Sequence, residues 1–178
     1  MTPICRVSCW SARTEWIPRW SQILARIDAD NKLYGKEEQL DVTFVADQTE
    51  VYFGICGDEE RYIPVVLAPA FEKLLGEGAF LRQMGSRFLM TDTAYEHLAG
   101  KDSYAGRYIG RLKNTDLDLG LYDIYDDRSA EQIRLMKQTR HAFDKAMELY
   151  EKGFYYEAKN LYACVLRENP GDMAAKYY

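Results

Sequence analysis

Nitrogen and sulfur ligands are scarce in this chain of 178 residues, which contains only two histidines and four cysteines. The cysteines, Cys5, Cys9, Cys56 and Cys164, form no C-x-x-C pair, the usual signature of a structural zinc or redox site. Two interpretations stay open at this point. Reduced thiols buried in the core are the favoured one, and a metal or redox role is the other.

Long hydrophobic runs and a basic surplus are absent as well. No apolar run approaches the roughly 20 residues that span a bilayer, and residues 1–16 lack the apolar stretch of a signal peptide. The net charge is −5, and lysine and arginine form no stripe that would suit nucleic acid. We therefore expect no membrane span, no nucleic acid partner and a cytoplasmic location.

The residues up to 128 mix strand and helix patterns. Apolar side chains at steps of three and four predict an amphipathic helix from Trp16 to Tyr34. Alternating or β-rich runs predict strands at 4–10, 42–45, 51–55, 88–91, 108–112 and 119–124. Short links between such elements favour an α/β or α+β sandwich. A resemblance described below implies that its sheet is incomplete.

From Ser129 onward the pattern is helical only, and it predicts two helices that meet at Gly153. The order of small and large residues matches a tetratricopeptide repeat, at Ala146, Leu149, Gly153, Ala158, Tyr162 and Pro170. We therefore predict two domains, residues 1–128 and an all-α helical hairpin at residues 129–178. A single hairpin cannot bury its own apolar face, so it must pack on the preceding domain unless further repeats follow.

Three stretches within residues 22–126 carry a further resemblance. The segment "EVYFGICGDEER" has a strand-turn-strand pattern with an acidic pair and an arginine. "GSRFLMTDTAYEHL" combines a strand with a helix that Thr91 can cap, and "YIGRLKNTDLDLGLYDIYD" forms two strands around a turn. Together they resemble the C-terminal two-thirds of a class III adenylate/guanylate cyclase domain, which implies a cyclase-like, ferredoxin-like fold. Bacterial cyclases of this kind often carry tetratricopeptide hairpins after that domain.

The same resemblance implies that the nucleotide site has lost its chemistry. Active members use a purine-reading Asp, an Asn that orients the ribose and an Arg that stabilises the phosphates. An ungapped alignment places Ile63 or Pro64, Glu72 and Gly76 at those three positions. Glycine offers no cation, and a glutamate beside a triphosphate would repel it.

The metal chemistry of the family is missing too. Active cyclases hold two divalent ions with aspartates on early strands, and a lysine reads the base. The chain before residue 22 is too short for those strands, and the predicted strand 4–10 has no carboxylate. We therefore predict no catalytic, cofactor-binding or metal-binding residues. The alternative is one half of a heterodimeric nucleotide cyclase whose metal ligands come from a partner.

The active cyclases that this chain resembles are dimers. A cyclase-like domain without catalytic residues can therefore still dimerise or bind another protein. We expect a non-catalytic interaction or regulatory module of intracellular, cyclic-nucleotide signalling that pairs with itself or with a cyclase-like chain. An exposed apolar stretch marks an interface, and tyrosines of the helical hairpin either bind a peptide or pack the helices. The candidate interaction residues are Tyr62, Ile63, Pro64, Val65, Val66, Tyr150, Tyr156 and Tyr162.

Overall fold

The computed structural model describes residues 17–49, 52–57, 60–67, 74, 78–114 and 117–178. The predicted strand 4–10 lies outside these residues. The described strands are β1 Phe44–Ala46, β2 Tyr52–Gly57, β3 Tyr62–Leu67, β4 Phe88–Thr91, β5 Gly106–Asn114 and β6 Leu117–Ile124. The described helices are α1 Ile17–Asn31, α2 Gly78–Gln83, α3 Asp92–Glu96, α4 Ala130–Glu151, α5 Tyr155–Glu168 and α6 Met173–Tyr177. This mixture confirms the prediction of an α/β fold with a helical C-terminus.

Four of the strands form one mixed sheet in the order β1-β4-β6-β5. β1 runs parallel to β4, whereas β6 is antiparallel to both β4 and β5. The β5–β6 hairpin is longer than predicted, since Lys113 pairs with Asp118 and Asn114 with Leu117. Four residues of the predicted turn at 113–118 therefore belong to the strands.

The short helix α3 begins where the sequence predicts. The Thr91 side chain accepts a hydrogen bond from the Ala94 backbone N–H, which satisfies one of the free donors of the first turn. The helix ends at Glu96. Gly100 has φ +70° and opens a 3-10 turn, a conformation that glycine adopts without a steric penalty.

One face of the sheet is covered by α1. Trp20 and Leu24 are buried on the inner side of that helix, and the Trp20 ring stacks on Phe88 with 4.5 Å between ring centroids. Phe44 of β1 belongs to the same apolar cluster. Trp20, Leu24 and Ile27 of the predicted stripe thus pack on the sheet, whereas Ile23 is exposed. The helix ends at Asn31, so the predicted extension to Tyr34 is wrong, and Tyr34 is exposed.

The opposite face of the sheet is covered by α4, α5 and α6. Side chains alternate along a strand, so Leu89 points away from Phe88 and joins this second cluster. There it meets Phe143 of α4 and Val165 of α5, all of them fully buried. The helical hairpin and the sheet therefore share one apolar core, as expected for a hairpin that cannot bury its face alone.

A buried ion pair links the sheet to the last helix. The Arg107 guanidinium of β5 donates to both carboxylate oxygens of Asp172, at 2.6 and 2.8 Å, and both side chains are at most 1% exposed. Asp172 also accepts from the Ala175 N–H and so caps α6. The Arg107 guanidinium lies 4.0 Å from the centre of the Phe143 ring. One arginine thus holds three elements together.

Tyr178 is hydrogen-bonded to the same strand, β5. The Tyr178 hydroxyl donates to the Ile109 carbonyl oxygen at 2.9 Å, next to an irregularity in the β5–β6 register at Tyr108 and Gly110. A Cβ atom on Gly110 would lie 2.1 Å from the Tyr178 hydroxyl oxygen, and Gly110 has φ +123°. Only glycine suits both the backbone and the close approach of the ring.

Replacing Asp172 should strongly destabilise the protein. Asp172→Ala leaves the Arg107 charge buried without its partner and removes the cap of α6, which costs about 3–5 kcal/mol. Urea unfolding followed by circular dichroism measures this loss. Asp144→Ala is the control, because Asp144 forms a half-exposed ion pair with Arg140 and should cost less than about 1 kcal/mol. Equal effects of the two substitutions would contradict the assigned role of the buried pair.

The contribution of Asp172 should depend on pH. Burial alone would raise the pKa of Asp172, but the hydrogen bonds and charge of Arg107 hold the pKa below its ordinary value. A lowered folded-state pKa stabilises the protein above the unfolded pKa of about 3.9, and this stabilisation is lost as the pH falls through the folded-state value. The stability difference between wild type and Asp172→Ala should therefore shrink below about pH 4. A constant difference down to about pH 2 would count against it.

Candidate functional site

The strands β2 and β3 form a separate two-stranded hairpin that is not part of the four-stranded sheet. Tyr52 pairs with Leu67 and Gly57 with Tyr62, in one continuous antiparallel register. Within the described part of the chain the two strands pair only with each other. An isolated two-stranded hairpin is marginally stable in water, so this element gains from being covered.

The two strands carry no charged side chain, and large apolar groups lie open to solvent on both of their faces. Cross-strand partners share a face and neighbours along a strand alternate. We call one side the Phe53 face; its exposed members are Phe53, Ile55, Tyr62 and Pro64. We call the other side the Cys56 face; it contains Tyr52, Cys56, Ile63 and Val65. The five largest of these side chains, Tyr52, Phe53, Ile55, Tyr62 and Ile63, are 63% to 73% exposed.

The predicted apolar stretch at the start of β3 is therefore on the surface. Tyr62, Ile63 and Pro64 are exposed, and Val65 is partly buried. The side chain of Val66 lies outside the described part of the structure. The sequence reasoning missed Tyr52, Phe53 and Ile55 on the partner strand, although the uncharged run of β2 was a usable signal.

The turn of the hairpin is polar, in contrast to its strands. Gly57 has φ +146°, and a Cβ atom there would lie 1.9 Å from the Arg61 carbonyl oxygen. Glycine is thus required where the strand enters the turn. Glu60 and Arg61 are exposed at the tip. The hairpin therefore combines two uncharged strands with a charged tip.

The three tyrosines predicted in the helical hairpin have different surroundings. Tyr162 is only 2% exposed and packs edge-on against Phe143, which corrects its assignment to an interaction surface. Burial is the main cause that raises the pKa of its hydroxyl. Tyr150 is partly exposed and touches the rings of Tyr155 and Tyr178, while Tyr156 is 76% exposed.

The Gly-Ser-Arg segment before β4 has a structural role. Arg87 donates two hydrogen bonds to the Asp28 carboxylate, at 2.8 and 2.9 Å, and its guanidinium lies 3.5 Å from Asp127. These contacts tie β4 to α1 and to the segment that follows β6. Ser86 is buried. This motif therefore contributes to packing rather than to a solvent-accessible cleft.

The carboxyl end of the parallel pair β1–β4 is the place where many α/β proteins bind ligands. Here its polar groups are bonded to one another. Asp47 accepts from the Thr91 hydroxyl at 2.6 Å, and Asp92 accepts from the Gly120 N–H at 3.0 Å. Arg111 lies 3.5 Å from the Asp92 carboxylate. The cluster thus serves to hold α3 and β6 on the end of the sheet.

No metal-binding group emerges from the described residues, where three or more His, Cys, Asp or Glu side chains nowhere converge. Cys56 is exposed, which corrects the expectation of a buried thiol, and Cys164 is partly exposed. Cys5 and Cys9 lie outside the described residues, as do Glu72 and Gly76 of the aligned nucleotide site.

Comparison with family models, with curated proteins and with solved structures found no match to this chain. Among the described helices, none combines the length and the apolar character needed to cross a bilayer. The geometry of the hairpin is thus the main guide to function.

Truncating Tyr162 and Tyr156 of α5 should change the stability by very different amounts. Tyr162→Ala removes a core ring and should cost about 3–5 kcal/mol in unfolding free energy. Tyr156→Ala serves as the matched control and should change stability by less than about 0.5 kcal/mol, because its side chain lies in solvent. Thermal or urea unfolding compares them. A small effect at Tyr162 would contradict the packing described above.

Proposed function

We propose that this chain is a non-catalytic protein-interaction module that binds its partner through the β2–β3 hairpin. The observation that carries the proposal is the hairpin itself, whose strands lack charge and expose large apolar side chains on both faces. Contiguous apolar patches on a folded surface mark binding sites for other macromolecules. The strands β2 and β3 have no group suited to acid–base or nucleophilic chemistry apart from the Cys56 thiol and tyrosine hydroxyls.

The cyclase-like reading is part of this proposal. Its support is the order of the elements, in which the strand-turn-strand unit β2–β3 precedes β4, the Thr91-capped helix α3 and the antiparallel pair β5–β6. Under this reading the module works in cyclic-nucleotide signalling, and its partner is itself or a cyclase-like chain. The hairpin would then form part of the seam between the two subunits.

The residues that align with the nucleotide site of active cyclases support a loss of catalysis rather than a changed substrate. Ile63 and Pro64 stand at the position aligned with the purine-reading Asp, and both are exposed on β3. The side chains of Ile63 and Pro64 cannot form a hydrogen bond to a base edge, and proline also lacks the backbone N–H. Purine recognition would therefore have to come from other groups.

Nucleotides should fail to bind. We expect no heat when the purified chain is titrated with ATP and then GTP, each with excess Mg²⁺ or Mn²⁺, up to about 1 mM ligand. Absence of heat would place any affinity below about 4 kcal/mol of binding free energy. The measurement is isothermal titration calorimetry.

A saturable, metal-dependent signal would overturn the non-catalytic assignment. It would favour the alternative in which the chain is one half of a heterodimeric cyclase, and an assay for cyclic nucleotide in the presence of an active cyclase chain would follow. Ile63→Asp provides an internal check, because it restores a carboxylate near the aligned purine position. It should not create nucleotide binding if the remaining groups are also missing.

A further inference from the structure

We propose that the chain binds a quaternary ammonium group in a cage of tyrosine rings on its C-terminal helices. We call this place the tyrosine cage; its members are Tyr150 in the last turn of α4, Tyr177 at the end of α6 and Tyr178, which follows α6. The site uses none of the residues of the β2–β3 hairpin and does not rest on the function proposed for that hairpin.

The ring of Tyr178 forms the floor of the tyrosine cage. It lies nearly parallel to the buried ring of Tyr162, with 5.5 Å between the ring centroids and 14° between the ring planes. Its hydroxyl donates to the Ile109 carbonyl oxygen of β5, so the ring is held both at one face and at its polar end. The floor is therefore in position before a ligand arrives.

The rings of Tyr150 and Tyr177 form two walls of the cage. They meet the Tyr178 ring at steep angles, 64° for Tyr150 and 89° for Tyr177, at centroid distances of 4.7 and 5.2 Å. Each wall is supported by a further ring, since Tyr155 contacts Tyr150 and Phe80 contacts Tyr177. Tyr150 remains 36% exposed and Tyr177 44% exposed. Aromatic rings that meet at steep angles and stay open to solvent are suited to binding quaternary ammonium ligands.

The electrostatics of the cage favour a cation. The face of each aromatic ring is negative because of the ring quadrupole. Glu151, next to Tyr150, adds a full negative charge, and its carboxylate accepts a hydrogen bond from the Tyr108 hydroxyl. Burial is the largest cause that raises the pKa of Tyr178, and the neighbouring Tyr150, Tyr177 and Glu151 raise that pKa further. The Tyr178 hydroxyl therefore stays neutral at physiological pH, and the charge beside the floor of the cage is that of Glu151.

The lysines next to the cage do not cancel this charge. Lys152 forms an ion pair with Glu148. Lys176 is exposed and directly precedes Tyr177 on α6, and helix neighbours one or two positions apart do not face each other. A ligand cation would therefore not compete with either lysine for the rings.

A methylated ammonium group suits this cage better than a primary one. The ammonium of a lysine is strongly hydrated and carries three N–H donors. The cage offers ring faces and one carboxylate, so most of these donors would lose their water without gaining a new acceptor. A quaternary ammonium has no N–H donor, and its methyl groups can pack directly against the rings.

Choline is the first probe, titrated into the isotopically labelled full chain and followed by NMR chemical shifts. We expect a dissociation constant of about 0.1–1 mM for a partly open cage, with the largest shifts at the tyrosine cage. The control ligand is the neutral carbon analogue of choline, in which a tert-butyl group replaces the trimethylammonium. It should bind about tenfold more weakly, because it lacks the charge that the ring faces attract. Equal affinities for the two ligands would overturn the proposal.

Substitutions test the cage itself. Tyr177→Ala removes one wall and should weaken choline binding about fivefold, whereas Tyr177→Phe keeps the ring and should change binding by less than about twofold. Glu151→Gln removes the charge but no ring, so it tests the site independently of any loss of packing, and it should weaken binding about threefold. Tyr156→Ala is the matched control, because Tyr156 is an exposed tyrosine of α5 outside the cage, and choline should bind this variant as it binds the wild type.

Two further soluble probes identify the source of the ammonium group. Trimethyl-lysine represents a modified protein side chain and phosphocholine represents a lipid headgroup, so the probe that binds most tightly distinguishes these sources from free choline. The absence of a saturable shift with all three probes up to about 10 mM would overturn the proposal. Choline binding that both Tyr177→Ala and Glu151→Gln leave unchanged would overturn it as well. Neither result touches the hairpin or the nucleotide titration, on which the proposed function depends.

Discussion

The buried pair between Arg107 and Asp172 sets the arrangement of the rest of the molecule. Two charges removed from water are tolerated only when each satisfies the other, and here the carboxylate also caps α6 while the guanidinium lies on Phe143. Separating α6 from the sheet would therefore leave the charges of Arg107 and Asp172 without their partners. This constraint makes the helical hairpin part of the core of the α/β unit.

Covering both faces of the sheet has a consequence for function. α1 occupies one side and the C-terminal helices occupy the other, so the strand β4, which carries both Phe88 and Leu89, is fully buried. The polar groups at the carboxyl edge of β1 and β4 bond to one another. The β2–β3 hairpin, in contrast, leaves five large apolar side chains exposed, and such a surface is suited to binding.

Much of the secondary structure was predictable because it follows local rules. Alternating or β-rich runs predicted β4, β5 and β6, helical spacing predicted α1, α4 and α5, and Thr91 was a recognisable cap. Errors arose where a local rule was weak. The predicted strands 108–112 and 119–124 were too short, since pairing continues to Asn114 and Leu117, and α1 ends at Asn31 rather than at Tyr34.

The sequence by itself indicated most of the strands and helices, and it showed that the stretch Tyr62–Leu67 carries no charge. Only the tertiary structure decided which apolar side chains are covered. Periodicity shows that a helix or strand has an apolar face, but it does not show what packs on that face. Tyr162 and Tyr156 lie on the same short helix, yet one is buried against Phe143 and the other lies in solvent. Arg107 and Asp172 are distant in sequence, and their contact exists because the fold brings β5 and the start of α6 together.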